Sequence, residues 1–173
     1  KINRISVGEL SDQIHKFKES KENLILEKVG SGLTRALYST YITYLPKSKF
    51  IYRLKSHDDK RGSFVEMAKT LNSGQFSYFT AHPGVTRGLH YHHTKTEKFL
   101  VIQGNSRFRF KNIITNEYHE IYANGEEPSI VETIPGWSHD IKNIGDSILI
   151  VMLWANEIFD LKNPDTFQSE INQ

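Results

Sequence analysis

The chain has no cysteine, which rules out disulfides, thiolate nucleophiles and cysteine-type zinc sites within it, and makes the cytosol the simplest compartment. It has no apolar run approaching the ~20 residues of a membrane span and no signal-peptide pattern at its start. It also lacks an excess of either charge: 22 basic against 20 acidic residues leave +2, too little to give the basic field that nucleic-acid binding needs. Nucleic acid and membrane are therefore excluded as expected partners. The Gly30-Ser31-Gly32 stretch is no dinucleotide loop, because no strand followed by G-x-G-x-x-G is present. The chain opens on Lys1 and reads as part of a longer protein.

What is present begins with helices. Val7, Leu10, Ile14 and Phe17 share one face of a first helix, with Ser6 and Glu9 in capping-box spacing. Leu24 to Leu26 reads as a short strand, and Leu33, Leu37, Tyr41 and Leu45 recur at helical spacing until Pro46. This is too little to bury a core alone, so the first ~55 residues need something to pack on. From Phe50 onward the pattern changes to short strands separated by Gly, Asn, Asp and Pro turns. FIYRL, SFVEMA, QFSYFT, GLHYHH, KFLVIQ, SRFRFK, EYHEIY, SIVETI, HDIKNI and SILIVMLW follow one another, the spacing of a sandwich or barrel. In SRFRFK, Phe108 and Phe110 have the parity of a core face. Arg107, Arg109 and Lys111 have the other, facing water, or facing a phosphate if that row turns inward. The polar end after Trp154, with a turn at Pro164 to Thr166, is expected to cover a sheet edge or fray.

The chemistry concentrates between Gly84 and Gly104. His90 and His92 are one residue apart, so in a strand they point to one face, whereas in a helix they would diverge by about 200°. A short polar loop, His93 to Thr96, and a returning strand from Lys98 bring Glu97 beside them. His139 follows the Pro135-Gly136 turn and completes an N3O donor set. That set suits Zn, Fe(II), Mn or Ni and leaves coordination positions open for water or substrate. His15, His57, His82, His93 and His119 read as ordinary surface or core residues.

This stretch resembles the first motif of the cupin superfamily, G-x-x-x-x-x-H-x-H-x-x-x-x-E-x-x-x-x-x-x-G, with Gly84, His90, His92, Glu97 and Gly104 in every fixed place. The second cupin motif is represented by Pro135, Gly136, His139 and Asn143. Here Pro and Gly are adjacent and Gly125 stands too far upstream, a departure in the turn and not at His139. The resemblance implies a mainly β fold, the cupin double-stranded β-helix or jelly-roll barrel, carrying a short N-terminal helical appendage.

A closer resemblance extends over nearly the whole chain. LYSTYITYLP, DDKRGSFVEMAKT, the run from Gly74 to Gly104, and WANEIFDLKNPDTF are similar to the CapF family, bifunctional nucleotide-sugar enzymes of capsular polysaccharide synthesis. In that family a short-chain dehydrogenase/reductase domain precedes a cupin. Residues 1–56 are then expected to be the mostly helical C-terminal remnant of the reductase, and 57–173 the cupin domain. The implied reaction is metal-dependent C3 epimerisation of a UDP-linked 4-keto-6-deoxy-N-acetylhexosamine toward UDP-N-acetyl-L-fucosamine. The NADPH-dependent C4 reduction would belong to the other domain, because Tyr41 and Tyr44 are followed at Y-x-x-x-K spacing by Leu45 and Ser48. Zn is the expected metal, a UDP-sugar the expected substrate and a homodimer the expected assembly. Metal ligands have their lone pairs engaged, so Lys95, in the loop beside Glu97, is the candidate for proton transfer or phosphate contact. A solvated loop lysine is its plain alternative. An Fe(II) dioxygenase would use the same ligands, and a non-catalytic sugar-binding or dimerising module would use the metal as a staple.

Overall fold

The computed structural model describes residues 2–171; Lys1, Asn172 and Gln173 lie outside the described residues. The first helix, α1 (Val7–Asn23), starts on the expected capping box: Ser6 Oγ accepts from the Glu9 N–H, and the Glu9 carboxylate accepts from the Ser6 N–H. Its partner α2 (Gly32–Thr43) packs on it through Phe17, which is buried with its ring 5.1 Å from Tyr38 and 5.8 Å from Tyr41.

Two strand expectations fail in this region. Leu24 adopts φ 64° and closes α1 in the left-handed conformation, so Leu24 to Leu26 contribute only a single parallel bridge, Ile25 to Lys69. That bridge still ties the helical pair to the barrel, since Leu26 N–H donates to Lys69 O (2.7 Å) and Lys69 N–H to Leu24 O (2.8 Å). FIYRL forms no strand, because no neighbouring strand is available to pair with it. Phe50 instead closes a 3₁₀ turn at Lys47–Lys49 and stays 71% exposed, and Ile51 stays 80% exposed.

The remainder is two antiparallel sheets. One runs β1-β2-β3-β10-β5-β8, from β1 (Ser56–Asp59), β2 (Gly62–Thr70), β3 (Gly74–Ala81), β10 (Leu149–Ala155), β5 (Glu97–Gln103) and β8 (Ile130–Glu132). The other runs β11-β4-β9-β6-β7, from β11 (Phe167–Gln168), β4 (Thr86–Tyr91), β9 (Trp137–Asn143), β6 (Asn105–Asn112) and β7 (Tyr118–Asn124). The strand order interleaves distant parts of the chain in the jelly-roll manner, which is the cupin fold.

Period-two burial builds the core between the sheets. Leu149, Val151 and Leu153 point inward from β10, and Phe108 and Phe110 from β6, meeting Phe79, Phe99 and Ile141. The cations of β6 take the opposite parity, as expected, yet Arg109 forks onto buried Asp140 and Arg107 lies 3.7 Å from Glu120. Strand β11 pairs with β4 (Phe167 to Tyr91, Gln168 to His90), so the polar end covers a sheet edge. Among the described residues, no helix is long and apolar enough to cross a membrane.

Candidate metal centre

Each donor is placed by a specific backbone feature. In β4 the register against β9 shifts between Gly88 and His90, where Leu89 takes φ 63°, and this bulge seats His90 opposite His139. Gly88 at φ 98° is needed at the bulge, since a Cβ there would stand 2.8 Å from the His139 carbonyl oxygen. The Pro135-Gly136 turn closes with Trp137 N–H on Ile134 O (3.1 Å), and Gly136 N–H donates to His92 O (2.8 Å), locking the His139 strand to the His92 loop. Glu97 begins β5, its N–H donating to Thr133 Oγ1 at 2.9 Å. Asn143 is fully buried and structural, donating through Nδ2 to the carbonyls of Ala81 and Ser147.

The structure brings His90, His92, Glu97 and His139 together, with one donor atom from each and all four within 4.8 Å of one another. Glu97 Oε2 lies 3.3 Å from His92 Nε2 and 3.4 Å from His139 Nε2. His92 Nδ1 sits 2.5 Å from the carbonyl oxygen of Asp165; a carbonyl only accepts, so Nδ1 carries the hydrogen and Nε2 turns a lone pair inward. His139 Nε2 is buried without a hydrogen bond among the described residues. Lone pairs converging on one point, one of them on an orphaned buried nitrogen, fit a divalent cation.

Electrostatics agree with that fit. Burial alone would raise the Glu97 carboxyl, but His139, His92 and Lys95 outweigh it and hold it well below the usual carboxylate range. His90 is pushed down to about 3, first by burial and then by the neighbouring His139 and His92, which keeps it neutral as a ligand must be.

Lys95 is not a solvated loop lysine. Its side chain is 12% exposed and Nζ lies 3.0 Å from Glu97 Oε1, so Glu97 turns one oxygen to the histidines and the other to Lys95. His90, Glu97 and His139, with Lys95, line a cavity of about 470 Å³ between the sheets. His93 lies outside the cluster, against the rings of Tyr91 (5.5 Å) and Phe167 (4.6 Å).

Sequence reasoning missed Asp165. Its carboxylate accepts from the backbone N–H of His93 (2.8 Å), Thr94 (2.7 Å) and Lys95 (2.8 Å), and from the Thr94 hydroxyl (2.9 Å). Burial would raise this carboxyl, and those donors overcome it and hold it far below its ordinary range. The Pro164 to Thr166 turn was the one signal, and a turn does not say what its aspartate touches.

Residues 57–167 match the family described as Polysaccharide biosynthesis C-terminal domain. A Pseudomonas aeruginosa protein named UDP-2-acetamido-2,6-beta-L-arabino-hexul-4-ose reductase is 59% identical over 170 residues, covering 98% of this chain and 46% of its own length. A crystal structure of the capsular polysaccharide assembling protein CapF from Staphylococcus aureus superposes with a TM-score of 0.95 at 40% identity, covering 99% of this chain and 46% of that one. A CapF structure with the inhibitor 3-isopropenyl-tropolone gives 0.93 at 41% identity, covering 96% and 48%. The chain spans about half the length of these relatives.

Proposed function

Because this chain belongs to the polysaccharide biosynthesis C-terminal domain family, we propose that its barrel is the epimerase half of a capsule nucleotide-sugar enzyme, with a UDP-linked 4-keto-6-deoxy-N-acetylhexosamine as substrate and inversion at C3 as the reaction. The observation that carries this reading is a buried N3O cluster opening on a cavity of about 470 Å³, with Lys95 held at its edge. His90, His92, Glu97 and His139 would hold one divalent metal, zinc by preference of the donor set. When bound, that metal would supply Lewis-acid stabilisation of negative charge at the C4 keto oxygen.

The chain's own groups do the rest. The hydrogen on C3 leaves as a proton while its bonding electrons shift onto the keto oxygen, and a proton returned to the opposite face inverts the centre. The four residues that would hold the metal would have their lone pairs engaged, so the proton carrier is sought in another group. Lys95 Nζ, an ammonium paired with Glu97 Oε1 at 3.0 Å, stands where it can supply the returning proton, while the departing one passes to solvent. Apolar walls, including Phe79, Phe99 and Phe108, limit the water that would compete. Residues 1–56 are the tail of a preceding reductase domain, which performs the NADPH-dependent reduction. The naming of the Pseudomonas aeruginosa relative as a reductase acting on a UDP-linked hexulose supports this division.

Incubating the chain with the keto sugar in D2O and following C3 by proton NMR tests the proposal. Deuterium uptake without NADPH consumption is the expected result. Uptake equal to the enzyme-free control, with the metal site loaded, would leave a binding or assembly module.

A further inference from the structure

The cavity is polarised along its length, and its two ends can be read from strand register. At one end Glu97 pairs with Ala155 and Ala155 with Gln75, which places the donor cluster beside the start of β3. Near that end the cavity is lined by Glu157, and farther along, opposite Ser77, by Glu66, which is paired with Lys69 at 2.9 Å. At the other end Arg87 Nη1 donates to the carbonyl of Thr80, near the finish of β3, and Arg61 stands in the β1–β2 turn, its own carbonyl accepting from His82 N–H at 3.1 Å.

Charge at this second end is not balanced. Arg61 directs Nε and Nη2 to Asp59, and Asp140, opposite Gly88, is held by Arg109, so both nearby carboxylates are already engaged. Arg87 is half-buried, its guanidinium lies 5.2 Å from the Phe79 ring centre, and its one hydrogen bond, at 3.3 Å, goes to a neutral carbonyl. None of the ion pairs among the described residues includes it. Burial, and then the like charge of Arg61, push the Arg87 guanidinium down from its ordinary value, as expected of a cation short of an anion.

We infer that Arg87, with Arg61 beside it, is the subsite for the diphosphate of a nucleotide-linked sugar. A guanidinium offers a planar fork of donors that matches phosphate oxygens, and here most of that fork is unspent in a cavity wall. Spacing points to the same ligand. Across the β4 bulge Arg87 faces Ile141 and His90 faces His139, two positions apart on β9 or about 7 Å, the scale of one sugar ring, and the Arg87 side chain extends the reach to a glycosyl phosphate. The keto end of the sugar then lies over the donor cluster and its anomeric end reaches Arg87. The inference rests on the nucleotide-sugar reading above, but the C3 chemistry does not enter its test.

The experiment is calorimetric titration of the metal-loaded full chain with UDP and, separately, with uridine. The parent should prefer UDP by at least tenfold. In Arg87→Gln the affinity for UDP should fall roughly tenfold to a hundredfold, the loss expected of a charge-assisted contact, while that for uridine stays unchanged. Arg87→Lys, which keeps the charge and loses the fork, should fall between the two. If Arg87→Gln fails to fold by circular dichroism, Arg87→Lys carries the test, and an affinity for UDP equal to the parent's overturns the proposal. So does Arg87→Gln binding UDP within twofold of the parent, or a parent with no preference for UDP over uridine. A chain that binds UDP through Arg87 yet exchanges no C3 hydrogen would keep the subsite and lose the epimerase reading.

Discussion

The backbone carbonyl of Asp165 takes a hydrogen bond from Nδ1 of His92 across 73 residues of sequence, at 2.5 Å, while the carboxylate of the same residue holds the N–H groups of His93, Thr94 and Lys95. One residue therefore fixes both the tautomer of a donor histidine and the loop that carries Lys95. Asp165→Ala keeps the carbonyl but frees the loop that aims it. Metal affinity should fall about tenfold to a hundredfold, the usual effect of losing an outer partner of a ligand. Asp165→Asn retains an acceptor and should lose less. Chelator competition measures this, and equal metal-release rates in parent and Asp165→Ala would sink the idea.

His90 gives the metal-free protein a particular acid sensitivity. Its folded-state value is about 3 against 6.5 in the unfolded chain, so between these limits the unfolded chain binds more protons. Stability is then full above about pH 6.5 and declines as pH falls, by up to ~1.4 kcal/mol per pH unit from this group. Glu97 adds a second loss of the same sign below 4.5, where its depressed carboxyl begins to differ from the unfolded one. Thermal unfolding in chelator between pH 5 and 7.5 should show the first effect, and His90→Gln should flatten it. An unchanged slope in His90→Gln would remove His90 as the cause.

Glu97→Ala and His139→Ala should each lower metal content and melting temperature together, because a ligand that binds only the native state stabilises it by its binding free energy, about 4 kcal/mol at a thousandfold excess over Kd. Elemental analysis beside a thermal melt checks both. Full occupancy in the two variants would dismiss this donor set.

Lys95→Gln separates chemistry from metal binding. Its Nζ contacts Glu97 Oε1, the oxygen turned away from the histidines, so the metal should stay. C3 exchange should fall about a hundredfold or more, the usual worth of a positioned proton carrier. Exchange at the parent's rate would return Lys95 to a structural ion pair.

What the sequence made legible was what short-range rules control. The shared face of His90 and His92, the return that brings in Glu97, and the inward parity of Phe108 and Phe110 all follow from the strand period, and the Ser6–Glu9 cap follows from helix geometry. Asp165 was not legible, because nothing local ties residue 165 to a loop near residue 94. Leu24 to Leu26 misled because three apolar residues fit a strand as well as the end of a helix, and only the positive φ of Leu24 separates the two. FIYRL has strand-forming residues, but a strand also needs a neighbour, which propensity cannot supply.

The same absence of a neighbour bears on the helical appendage. Phe17 is buried between α1 and α2, but Val7, Tyr44, Phe50 and Ile51 are well exposed, an apolar surface larger than two helices can cover themselves. The tie to the barrel is thin by comparison: one parallel bridge, Ile25 to Lys69, made of two backbone hydrogen bonds. The barrel core, from Phe79 through Leu153, draws no residue from the appendage. A chain beginning at Ser56 keeps the whole of β1 and should therefore fold, with a cooperative melt, bind metal in the same ratio and be more soluble than the parent, whose exposed apolar residues at Val7, Tyr44, Phe50 and Ile51 it lacks. Circular dichroism, a thermal melt and elemental analysis of that shortened chain are the measurements. An unfolded product would mean that the helices are part of the barrel's folding unit and that the boundary near residue 56 is wrong.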